Sequence, residues 1–67
     1  MRFITILTKW GEPVAINVNN IASIRLENGC VLIYTGGDKV ITTQFTDVEH
    51  AVDYVQRAPS VSLSEVA

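Results

Sequence analysis

Asn28-Gly29 sits between two apolar, alternating runs, and few dipeptides constrain a chain more. The favoured two-residue hairpin turn needs positive φ at both central positions, which asparagine and glycine tolerate best. A second turn cluster, Gly36-Gly37-Asp38, follows after one strand length. Together they impose a strand–turn–strand–turn–strand order on residues 24–45, and with it an antiparallel layout.

The remaining segments fit that layout. Phe3 to Thr8 alternates Phe3, Thr5 and Leu7 with Ile4, Ile6 and Thr8, so both faces carry bulk and the strand is expected inside the sheet or between two layers. Trp10-Gly11-Glu12-Pro13 reads as a turn, with Pro13 opening the next strand where no ladder donor is needed. Val14, Ile16 and Val18 point one way, and Ala15 and Asn17 the other. Asn19-Asn20 then interrupts with a turn or a single helical turn over residues 19–23. Cys30 to Tyr34 is apolar on both faces, as a central strand is, and Lys39 to Phe45 completes the set.

Thr46-Asp47-Val48-Glu49 has the form of a capping box, with Asp47 also favourable in a first turn. Val48, Ala51, Val52 and Val55 recur at i, i+3, i+4, i+7, so the spacing predicts a helix over 46–57 with one buried stripe, stopped by Pro59. The expectation is a mainly β domain over residues 1–58: a five-stranded antiparallel meander, curled or barrel-like, with the helix packed on it. Residues 59–67 form a tail that is either disordered or adds a strand to a neighbouring edge through the alternating Val61 and Leu63.

At 67 residues the chain is one domain with a thin stability margin. One cysteine, Cys30, allows no internal disulfide, and one histidine beside one cysteine makes no zinc set, so no cofactor is expected. The apolar content of 48 % is ordinary for a globular domain and too high for disorder. Self-association is the remaining remedy for the small core, and a homo-oligomer is expected. A net charge of −2 gives no basic footprint for nucleic acid. No run approaches the ~20 apolar residues of a membrane helix. The first ten residues read as a strand and not a signal peptide, and the lone thiol fits a reducing, cytoplasmic setting.

Residue by residue, little points to chemistry. Cys30 lacks a neighbouring cation or helix start that would activate it, and is read as a small packing residue. His50 falls off the apolar stripe, with Asp47 one turn away, and serves no signalled nucleophile. Trp10, Tyr34 and Tyr54 are the candidate interface aromatics, joined by Val61 and Leu63 of the tail. An indole in a turn is either folded over the end of the core or offered to a partner, and in a domain this small the plug is the expected arrangement. Arg2, Arg25 and Lys39 are the candidate anion contacts on one sheet face, with a solvated face as the simpler reading. The Gly36-Gly37 pair is explained by its turn.

The run Ile16 to Ile24 (Ile-Asn-Val-Asn-Asn-Ile-Ala-Ser-Ile), the Asn-Gly hairpin and the helix entry Phe45-Thr46-Asp47-Val48-Glu49 carry a likeness to known proteins. Over residues 3–57 the chain resembles the small flagellar-operon FlbD-type family and similar short proteins of bacteria and phages. It differs from the flagellar members at Trp10-Gly11-Glu12-Pro13 and in the tail. A weaker likeness to the LytTR-type DNA-binding domain rests on the strand-rich layout. The first resemblance implies a binding or accessory protein of bacterial or phage origin. Small size, the absence of catalytic residues and surplus apolar surface then make a non-enzymatic regulator or host-takeover factor acting through a protein partner the first expectation. Two alternatives stay open: an oligomeric binder of an anionic small molecule or nucleotide between subunits, and a nucleic-acid-binding module.

Overall fold

The structure is a computed structural model that describes residues 2–61. It is mainly β: β1 (Phe3–Leu7), β2 (Pro13–Asn17), a 3-10 turn (Val18–Asn20), β3 (Ile21–Glu27), β4 (Cys30–Thr35) and β5 (Val40–Thr42), closed by the helix α1 (Val48–Arg57). The five strands do not form one continuous meander. β1 and β2 make one antiparallel sheet, β3, β4 and β5 another, and the two do not close into a barrel. Among the described residues a single bridge, Thr8 to Thr43, joins them at one end, beside a hydrogen bond from the Lys9 N–H to the Thr42 carbonyl (2.8 Å).

The hairpin turns follow from their residues. Asn28 (φ 52°) and Gly29 (φ 79°) both take positive φ, as the two-residue turn between β3 and β4 requires. The other two hairpins use three-residue loops that end in a left-handed residue. In the first, Thr8 N–H bonds the Glu12 carbonyl (2.8 Å) and Gly11 has φ 84°. In the second, Thr35 N–H bonds the Lys39 carbonyl (3.0 Å), and the left-handed residue is Asp38 (φ 62°) and neither glycine. A Cβ at Gly36 would stand 3.0 Å from Oδ1 of the exposed Asn20 side chain, and the Gly36 N–H bonds the Asn20 carbonyl (2.9 Å).

Two irregularities correct the expected strand limits. A register shift between Ile21 and Ser23 lets β3 start earlier and bulge at Ala22. Residues three apart would face opposite ways in a regular strand, but the bulge turns Ile21 and Ile24 to the same core. β5 ends at Thr42 and not Phe45, because Val31 uses its carbonyl for the Thr43 N–H and its own N–H for the Phe45 carbonyl (both 3.0 Å), which throws Gln44 out of the ladder. Buried Thr43 secures the slip: its hydroxyl donates to the Val31 carbonyl (2.8 Å) and accepts from the Phe45 N–H (3.2 Å).

Ile4, Ile6 and Ile16 of the first sheet face Ile33 of the second, and Val55 and Ala58 close the cluster, with Ile21, Ile24 and Ile41 packed around it. The second sheet therefore covers apolar surface that the sequence reading left to the helix or to another subunit. The helix N-cap is Asp47, one residue later than the capping box placed it, with its carboxylate accepting from the Glu49 N–H (2.8 Å). Ala51 and Val55 are buried, and Val48 and Val52 half-buried, so the stripe is as expected.

Candidate protein-binding groove

Hydrogen-bond phase decides which strand edges face outward. Thr8 N–H bonds the Glu12 carbonyl and Val18 N–H bonds the Arg2 carbonyl, so the bonded pairs of the first hairpin fall at even-numbered residues. By antiparallel alternation, the backbone groups of Ala15 and Asn17 then point away from β1. The same phase argument, from the Thr35–Lys39 and Val31–Thr43 bonds, points the backbone groups of Val40 away from β4.

These two outward edges border one open groove of about 520 Å³. Phe3, Val14, Ala15 and Ile16 form its apolar side with Val40 and Ile41, while Asn17, Asn20 and Thr35 add uncharged polar groups. Among the described residues, Lys39 is the one charged residue lining it. Native edge strands are commonly protected by charge, and the Val14-Ala15-Ile16-Asn17 edge has none. Pro13 lies at the strand's start, leaving the rest able to pair.

The candidate anion contacts are distributed over three places. Arg2 is committed to the helix: its guanidinium donates to the carbonyls of Val55 (2.9 Å), Ala58 and, at the long distance of 3.4 Å, Gln56. These are the carbonyls that the last helical turn leaves without intrahelical donors. Arg25 lies over the Tyr34 ring, 5.6 Å from its centroid. Lys39 lines the groove.

Among the candidate interface aromatics, Trp10 is 72 % exposed, so it is not folded over the core as expected. Gly11 and the pinned hairpin loop hold it outward. Tyr34 donates to Glu27 (2.7 Å), and that bond, ahead of desolvation and the carboxylate's charge, raises the phenol above the ordinary tyrosine value of 10.0 against a smaller lowering by Arg25. Tyr54 packs on Phe45 (centroids 5.5 Å apart) and donates to the Thr5 carbonyl. Val61 N–H bonds the Phe3 carbonyl (2.9 Å), placing the first tail residues against β1. Leu63 lies outside the described residues. His50 sits 3.6 Å from Asp47 on the exposed helix start, and Cys30 is half-buried at the head of β4.

Among the described residues no three His, Cys, Asp or Glu side chains gather to hold a metal, and no helix is long and apolar enough to cross a membrane. The groove was not legible in the sequence, although one signal was present: a β-rich segment, residues 14–18, without a single charge. Comparison with known proteins adds nothing, since no family model, curated protein or solved structure matches the chain.

Proposed function

We propose that this domain is a non-enzymatic accessory protein whose β2–β5 groove receives an extended segment of a partner protein. The observation that carries the reading is the pair of outward, mostly uncharged strand edges bordering one apolar groove. Added strands gain affinity from main-chain hydrogen bonds and selectivity from pockets under alternate side chains. Here the outward groups of Ala15 and Asn17 supply the main-chain partners, and Phe3, Val40 and Ile41 the apolar floor. Lys39 favours an acidic residue in the incoming strand.

A displayed library of random peptides tests this. Enriched peptides should perturb backbone amide resonances of residues 14–17 and 39–41. Ala15→Pro removes an N–H that the β1 ladder does not use, so it should abolish peptide binding while preserving the fold. Peptides that map elsewhere, or that bind Ala15→Pro equally well, would overturn the groove assignment.

A further inference from the structure

At the end of the molecule where the two sheets meet, the described residues present an exposed knob and an open pocket on neighbouring segments of the chain. The knob is Trp10. Its loop is pinned by the Thr8–Glu12 backbone bond, by a bond from Gly11 N–H to the Thr8 carbonyl (2.9 Å), and by the Lys9–Thr42 bond to β5. With the left-handed Gly11 fixing the turn, the indole remains 72 % exposed. The pocket is open to solvent, has a volume of about 380 Å³ and is lined, among the described residues, by Leu7, Gln44, Phe45 and Tyr54. It exists because the ladder slips at Gln44, and because Tyr54 is drawn to β1 by the Thr5 carbonyl.

We propose that a second copy of this chain docks here by reciprocal exchange, the Trp10 indole of each protomer entering the Leu7–Phe45–Tyr54 pocket of the other. Three observations select this occupant. The pocket is at the small end of the ~300–1,000 Å³ range of ligand sites, suited to one large side chain more than to a cofactor. Among the described residues, none that line it carries a formal charge, which suits an apolar side chain. Knob and pocket also lie at one end: Leu7 is three residues before Trp10, and Gln44 two after Thr42, which holds the loop. A patch that carries both halves of a contact can pair with itself about a twofold axis, and such a dimer closes with two identical contacts.

Size sets the strength. Two aromatic side chains bury about 300–500 Å² between them, well below the roughly 1,600 Å² of a standard stable interface. The dimer is therefore weak and reversible, populated with rising concentration. It uses neither edge of the β2–β5 groove, so loss of peptide binding and loss of self-association are separate results.

The test combines sedimentation velocity with fluorescence of the full chain, in which Trp10 is the sole tryptophan. Between micromolar and near-millimolar protein, the sedimentation coefficient should rise toward a dimer and the emission maximum should shift to the blue together. Trp10→Ala and Leu7→Lys should each remain monomeric across that range. The exchange geometry adds a stricter expectation. An equimolar mixture of the two variants keeps one intact knob and one intact pocket, so it should associate more than either variant alone and less than the unaltered chain. Should Trp10→Ala fail to fold, Leu7→Lys still reports the pocket side. A monomer at all concentrations overturns the proposal, as does a dimer with unshifted emission or one that survives both substitutions.

Discussion

Replacing Arg2 with methionine should destabilise the domain more than any other change to its charged residues. The side chain reaches across the molecule to the carbonyls of Val55 and Ala58, with a weaker third contact to Gln56. A hydrogen bond from a charged donor contributes about 1.5–3 kcal/mol, and a cation at a helix C-terminus about 0.3–1 kcal/mol. Arg2 is half-buried, so water partly replaces it, and the 3.4 Å contact counts for little. The low end of the range applies, a loss of about 2 kcal/mol for Arg2→Met. In a domain of this size that lowers the melting temperature by about 10 °C. Arg2→Lys keeps the charge but not the fork that serves several carbonyls, and should fall between. The control is Asp53→Ala, which breaks the Arg57–Asp53 pair (2.7 Å); with its side chains 80 % and 56 % exposed, that change should cost no more than ~0.5 kcal/mol. Urea titration followed by circular dichroism measures all three. If Arg2→Met and Asp53→Ala share the unaltered chain's midpoint, the C-terminal carbonyls are as well served by water and the argument fails.

Two further perturbations probe the turns and the outer face of the second sheet. Gly29→Val places a β-branched residue at φ 79° and should cost more than about 1 kcal/mol in the same titration, whereas an unchanged midpoint would mean the hairpin closes through a different turn. Tyr34 holds its proton to higher pH than an unfolded tyrosine because its hydroxyl bonds Glu27. The native state therefore binds more protons than the unfolded state above about pH 10, and stability falls as pH rises from there through the folded value. Glu27→Gln should move the phenolate absorbance step of Tyr34, identified by its loss in Tyr34→Phe, to lower pH; superimposable titrations would show that Glu27 does not hold the phenol.

Local chemistry fixed what local sequence can express. Asn28-Gly29 determined the β3–β4 turn because only such a pair accepts positive φ twice. The Val48–Ala51–Val52–Val55 spacing determined the helix and its buried face, since a 3.6-residue period leaves one stripe. Alternation marked each strand, because side chains in a strand point to opposite faces in turn. Other features depended on partners distant in sequence. Arg2 reads as a surface cation until the helix C-terminus, more than fifty residues on, is brought beside it. Trp10 reads as a core plug until the hydrogen bonds of its hairpin and of Thr42 hold it outward. The bulge at Ala22 and the slip at Gln44 leave no local signal, because each is set by cross-strand bonding to β4. The groove belongs to the same class. It lies between β2 and β5, which are not paired, and the packing of one sheet on the other, over isoleucines from both, sets how far apart those edges stand.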